Sequence, residues 1–180
     1  MVPGKERGKR ERMKLSVEEI QLLNKTCRDS RAIGHNAVIP KLISLIANTE
    51  DFILDYGAGK SARHTKELRK LGFKYVIPYD IGSNVTEDLH DKNALDMRYN
   101  IVYASNVLNV QLSIDMIRET IKEITSVVGR GGKAIFNYPV TPRKTECSGK
   151  DIRDLLITFY SDVCIIKGSL YSPVFICYNI

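Results

Sequence analysis

The chain has no hydrophobic run approaching the roughly 18 consecutive apolar residues of a membrane span, and it has no Cys-x-x-Cys pair. Its N-terminus opens Met-Val-Pro-Gly-Lys-Glu-Arg and lacks the apolar stretch of a secretory signal, so a soluble, cytoplasmic protein without membrane contact is expected. Cys27, Cys147, Cys164 and Cys177 are scattered, and His35, His64 and His90 sit near none of them in sequence. Neither a zinc-ligand spacing nor a disulfide framework emerges; free thiols of a reducing compartment and no metal are the expectation. There is also too little chain for two domains: 180 residues make one. With 43% hydrophobic and 27% charged residues, that domain has enough apolar surface to bury a core.

Charge is unevenly placed. Residues 1–14 hold six basic side chains (Lys5, Arg7, Lys9, Arg10, Arg12, Lys14) against Glu6 and Glu11, so +4 of the net +6 lies there. Such a segment buries too little to offset its ordering entropy and reads as a flexible arm. It can track phosphates through counterion release, or simply aid solubility.

After the arm, Ser16-Val17-Glu18-Glu19 is a capping box and starts a helix over 16–27. A second helix over 36–47 carries Ile39, Leu42, Ile43 and Ile46 on one stripe, with Pro40 tolerated in its first turn. Strands then alternate with helices. Strands are expected at 52–56, 75–79, 85–89, 101–105, 133–138, 163–167 and 174–178, and helices at 61–70, 113–128 and 151–160, with Gly129–Gly132 as a break between helix and strand. The pattern predicts an α/β fold: a doubly wound, Rossmann-like, seven-stranded sheet, mostly parallel, with a C-terminal antiparallel hairpin and helices on both faces. Residues 1–14 form the arm, 15–48 the N-terminal helices and 49–180 the Rossmann domain.

Leu54-Asp55-Tyr56-Gly57-Ala58-Gly59-Lys60-Ser61-Ala62 admits three ligands. A P-loop needs a glycine five positions before Gly59-Lys60, where Leu54 stands. A dinucleotide fingerprint fits Gly57, Gly59 and Ala62, with Asp80 onward, but leaves too little chain for a substrate domain. The third ligand is adenosylmethionine. Asp55 separates the last two, because a carboxylate before the loop repels a pyrophosphate yet can pair with an α-ammonium, directly or through water.

Asp55-Tyr56-Gly57-Ala58-Gly59 resembles the Asp/Glu-x-Gly-x-Gly motif of class I S-adenosylmethionine-dependent methyltransferases, and the resemblance extends over about residues 50–178. More narrowly, Tyr103-Ala104-Ser105-Asn106-Val107-Leu108-Asn109-Val110 resembles small methyltransferase-like proteins encoded by bacteriophages and beside DNA phosphorothioation genes. The resemblance implies S-adenosylmethionine as cofactor, held by Asp55, Tyr56, Gly57, Ala58, Gly59, Asp80, Ile81, Ser105 and Asn106. Asp80 would accept from the ribose hydroxyls, and Asp91 or Asp88 would meet the adenine. Asn106 and Asn109 would face the methyl donor or acceptor as the catalytic pair. The N-terminal helices, with Arg28, Arg31, His35 and Asn36, would form a lid.

Amine methyltransferases of DNA bases carry Asp/Asn-Pro-Pro-Tyr/Phe where this chain has Ser105-Asn106-Val107-Leu108, a departure from that chemistry. Asn137-Tyr138-Pro139 is similar to the motif but follows the next strand, so the role is not transferred to it. No Pro-Cys follows Ser105, which argues against attack on a cytosine carbon by a thiolate. A basic rim of Arg143, Lys144 and Lys150 in the 139–150 loop can join the arm in contacting nucleic acid. The expected function is methyl transfer to an acceptor that includes nucleic acid (DNA or RNA) among the candidates. A small-molecule methyltransferase is the alternative, as is a non-catalytic cofactor-binding module serving a partner protein.

Overall fold

Neighbouring residues of each central strand enter opposite cores, and this alternation dictates a three-layer architecture. The computed structural model describes residues 15–29, 38–140, 142, 145–166 and 173–179. Its strands are β1 (Phe52–Tyr56), β2 (Tyr75–Tyr79), β3 (Tyr99–Ala104), β4 (Val128–Asn137), β5 (Asp162–Ile166) and β6 (Val174–Tyr178). They form one sheet in the order β2-β1-β3-β4-β6-β5, parallel from β2 to β4 and antiparallel at β6 and β5. Ile53, Ile101, Tyr103 and Ile135 pack with Ile39, Ile43 and Leu68 on one face. Leu54, Val102, Ala104, Ala134 and Phe136 pack with Ile117, Ile121, Ile124, Ile152 and Leu156 on the other.

The first face is covered by α2 (Val38–Ile46) and α3 (Arg63–Lys70), the second by α4 (Ile114–Val127) and α5 (Gly149–Ile157). Local signals fix the helix starts. The Ser16 hydroxyl accepts from the Glu19 amide at 3.1 Å while the Glu19 carboxylate accepts from the Ser16 amide at 2.8 Å, opening α1 (Val17–Asp29). Ser113 caps α4, and Ser148 with Asp151 forms a second capping box that starts α5 at Gly149, ahead of the expected 151.

Six strands are found among the described residues, not seven. The expected strand at 85–89 is absent because its polar groups bond locally. The Thr86 amide donates to His90 Nδ1, the His90 amide to the Thr86 carbonyl, and the Thr86 hydroxyl to the Lys60 carbonyl. That leaves β2 at the sheet edge. On its outer side the Arg69 guanidinium donates to the Val76 carbonyl at 2.6 and 3.1 Å, and the Asp91 amide donates to the Pro78 carbonyl at 3.1 Å. Helix α4 ends at Val127, just before Gly129–Gly132 as expected, but the next strand starts earlier than 133: β4 begins at Val128 and absorbs the glycines in a register shift against Tyr99 and Ile101. There the Gly131 amide donates to the Asn179 carbonyl and the Asn179 amide to the Gly132 carbonyl, so the run is held as sheet.

The expected lid over 15–48 divides in two. Helix α2 is a core layer, with Ile39 and Ile43 fully buried. Helix α1 packs on the turn after β2, where a Cβ at Gly82 (φ +61°) would come within 2.3 Å of Ile20 and 2.5 Å of Asn24. Arg31, His35, Asn36, the basic arm, Arg143 and Lys144 lie outside the described residues, as does the side chain of Arg28.

Candidate cofactor and acceptor site

The carboxyl ends of β1, β2 and β3 point the same way, and the chain leaves each through a turn, so three loops meet above the sheet. They enclose, with α1, a cavity of about 520 Å³, within the range of small-molecule sites. Of the residues assigned from sequence, Tyr56, Gly57, Ala58, Gly59, Asp80, Ile81, Ser105 and Asn106 line it.

The glycine loop is held from three sides. The amides of Gly57 and Ala58 both donate to the Tyr79 carbonyl, at 2.9 and 3.0 Å. The Gly59 amide donates to Asp80 Oδ2 at 2.7 Å. From below, His90 receives the Thr86 amide at Nδ1, which leaves Nε2–H to donate to the Gly59 carbonyl at 3.0 Å. Gly57 adopts φ +77°, and a Cβ there would fall 2.5 Å from Val107, so the loop lies directly on the turn after β3. The collision is thus with protein rather than ligand. At Gly59 a Cβ would meet nothing within 4 Å.

Asp80 closes this half. Its Oδ1 accepts from the Ile81 amide at 2.7 Å, so each oxygen takes one backbone donor; the Asn84 side chain adds a third, which leaves the carboxylate capacity for a further hydroxyl. Burial pushes its carboxyl above the ordinary value, opposed by those two amides. Together with the apolar Leu23, Ile81, Val107 and Val110 on the cavity wall, this donor-acceptor set fits a nucleoside: a carboxylate for ribose hydroxyls beside a slot for a flat base.

Asp55 is placed differently from the expectation. Only 1% exposed, it lies beneath the loop and does not line the cavity; its Oδ2 accepts from the Thr65 hydroxyl at 2.7 Å. Burial raises its carboxyl above the ordinary value, while the Thr65 and Tyr103 hydroxyls hold it down. Asp91 is turned away as well. Its Oδ1 accepts from the Asn93 amide at 2.8 Å in a local turn outside the cavity, and Asp88 is likewise not on the wall.

On the β3 side, Asn106 adopts φ +59° and is locked to Asn137 at the end of β4. The Asn106 amide donates to Asn137 Oδ1 and Asn137 Nδ2 donates to Asn106 Oδ1, both at 2.6 Å. Asn109, the second expected catalytic residue, does not line the cavity; its Oδ1 is buried without a partner. Ser105 Oγ and Gln111 Oε1 are likewise buried and unpartnered, and both residues are on the cavity wall. Unmet buried acceptors of this kind are costly.

Sequence reasoning missed Asn24, His64, His90, Gln111 and the role of Asn137. Asn24 donates to Ser83 Oγ at 3.2 Å and brings α1 onto the cavity rim. Asn24 is four residues past Ile20 on the same stripe, a signal available in the helical periodicity; Gln111 gave none. Among the described residues no group of metal-ligating side chains comes together, and no helix is long and apolar enough to cross a membrane.

Among known structures the architecture matches methyltransferases. The 1,6-didemethyltoxoflavin-N1-methyltransferase of Burkholderia thailandensis, with bound S-adenosylhomocysteine, superposes with a TM-score of 0.65 at 15% identity, covering 94% of this chain and 92% of that one. The S-adenosylmethionine-bound magnesium protoporphyrin IX methyltransferase of Synechocystis gives 0.60 at 14%, covering 91% and 83%. CalS10, an amino pentose methyltransferase of Micromonospora echinaspora, gives 0.60 at 11%, covering 96% and 100%. No protein-family model and no curated protein matches the sequence. The chain therefore has the Rossmann-like fold of class I methyltransferases, here with a mixed sheet of six strands.

Proposed function

We propose that the protein is an S-adenosylmethionine-dependent methyltransferase whose acceptor is a nucleic acid, DNA or RNA. The observation that carries the reading is Asp80: its carboxylate ties the glycine loop to the end of β2 and faces a cavity shaped for a nucleoside. The fold, shared with structures that hold S-adenosylmethionine or S-adenosylhomocysteine, supports the same cofactor. When bound, that cofactor supplies a methyl group already activated on a sulfonium, so alignment of the acceptor does much of the catalysis. Asp80 would hold the ribose, Gly57 to Gly59 the methionine end, and Leu23, Ile81 and Val110 the adenine face. Ser105 Oγ and Gln111 Oε1 would accept from a polar hydrogen of the acceptor and hold its nucleophilic atom toward the methyl group; the proton released on transfer leaves to water. The run Tyr103–Val110 supports the narrower kinship with small bacteriophage and phosphorothioation-associated proteins.

Calorimetry with S-adenosylmethionine, S-adenosylhomocysteine and NAD tests the cofactor. Binding of the first two alone is expected, and binding of NAD alone would overturn the assignment. Methyl transfer to single-stranded DNA and RNA, read by mass, tests the acceptor. A small-molecule acceptor is the second reading, favoured by the likeness to CalS10 and the toxoflavin enzyme. It predicts undiminished transfer after deletion of residues 1–14. Cofactor affinity without transfer to any acceptor would instead mark a non-catalytic binding module or subunit, for which purification with a protein partner is the sign.

A further inference from the structure

Helix α3 has the sequence Arg-His-Thr-Lys-Glu-Leu-Arg-Lys, and Lys60 precedes it. At 3.6 residues per turn, Arg63, Lys66 and Lys70 share one face, opposite the buried Thr65 and Leu68. Lys60, Lys66 and Lys70 are exposed and have no ion-pair partner among the described residues. The two arginines differ: Arg63 Nε is paired with Glu67 at 2.9 Å, and the Arg69 guanidinium is committed to the Val76 carbonyl.

Helix electrostatics does not account for this charge. Cations stabilise the last turn of a helix and acids the first. Here the first turn has no acid, and Lys60, Arg63 and Lys66 lie at the end that disfavours cations, whereas Lys70 lies in the last turn, which favours it. Their position matches the cavity instead: Lys60 and Arg63 line it, and the charged face runs on from there for about 10 Å along α3 at 1.5 Å per residue. At the cavity's other wall stands Gln111, 5% exposed, with its Oε1 unpartnered.

We infer that the Lys60-Arg63-Lys66-Lys70 face of α3 is a docking track for the phosphates of a single-stranded nucleic acid, delivering one base into the cavity, where Gln111 accepts from its N–H. A base enters such a cavity only out of the stack, and leaving the stack costs least in a single strand, which is therefore the occupant. This deepens the methyltransferase reading for what enters the cavity, but the track itself binds without cofactor.

The test is fluorescence anisotropy of the full chain with labelled 15-nucleotide single-stranded DNA and RNA of mixed sequence, titrated with salt. Lys66→Ala with Lys70→Ala removes two phosphate contacts outside the cavity. Each is expected to lower the magnitude of the slope of log K against log salt by about 0.7, and to weaken binding across sequences alike. The charge-matched control Arg118→Ala with Lys122→Ala, both exposed on α4, is expected to leave both unchanged. An unchanged slope in the α3 variant overturns the track, and so does loss of binding only on deletion of residues 1–14. Absence of binding by the unaltered chain, preference for duplex, or binding to phosphatidylserine vesicles but not to oligonucleotides overturns it too. Because the assay contains no cofactor, failure of the methyltransferase reading shows separately, as absent S-adenosylmethionine binding in calorimetry.

Discussion

The two halves of the cavity are built on opposite terms. Around the ends of β1 and β2, the loop backbone is satisfied: Gly57, Ala58 and Gly59 are each tied to Tyr79 or Asp80, and His90 holds the loop from below, while His64 Nε2 at the start of α3 is buried without a partner. Around the end of β3, acceptors are left over, with Ser105 Oγ, Asn109 Oδ1 and Gln111 Oε1 all buried and unpartnered. A satisfied wall is preorganised and recognises a ligand by shape and by the one carboxylate that has capacity left. An unsatisfied wall takes its missing partners from whatever enters, and so discriminates by hydrogen bonding.

The largest effect that separates the halves is expected from Gly57→Val. Its φ of +77° and the 2.5 Å approach to Val107 leave no room for a branched side chain, so S-adenosylmethionine binding should be lost in calorimetry. Normal binding by a folded Gly57→Val variant would break the assignment of the loop. Asp80→Ala comes next: loss of charge-assisted hydrogen bonds should weaken cofactor binding by about 1.5–3 kcal/mol, again by calorimetry. The same carboxylate gives the halves a pH signature. Because burial raises the Asp80 carboxyl, it takes up a proton at a higher pH than an ordinary carboxylate, and cofactor affinity should fall as pH drops through that raised value. An Asp80→Asn variant should show weak binding with no such fall. On the other half, Asn137→Ala should cost about 1–2 kcal/mol of stability, measured by urea unfolding, and lower methyl transfer more than cofactor affinity. The smallest effect is expected from Gln111→Met. Removing a buried unmet acceptor should stabilise the fold by about 1 kcal/mol or less while reducing transfer, and a variant equally stable and fully active would erase the distinction drawn here.

The same division marks what was legible in the sequence. Elements set by local rules were readable: the Ser16–Glu19 box, the strand Phe52–Tyr56 with its glycine turn, and the Ile117, Ile121, Ile124 stripe of α4. The segment 85–89 was misread because Val85 and Leu89 look like strand residues, whereas Thr86 and His90 close a turn through side-chain bonds that no periodicity shows. Asp55 fits the motif in sequence, yet only the fold reveals that Thr65, ten residues on, occupies its carboxylate. Asn137 was seen but set aside for lying on the wrong strand. Because β3 and β4 are neighbours, its amide reaches Asn106 across 31 positions of sequence.

The absent strand also bears on how copies of the molecule behave at high concentration. An outermost strand normally offers a template to its neighbours, and open templates seed sheet growth from one chain to the next. Along β2 that template is spoiled: Pro78 has no amide to offer, its carbonyl is taken by Asp91, and the Val76 carbonyl is taken by Arg69. Arg69 thereby acts as a gatekeeper against aggregation, guarding the side of the molecule that a shorter sheet would otherwise have left adhesive.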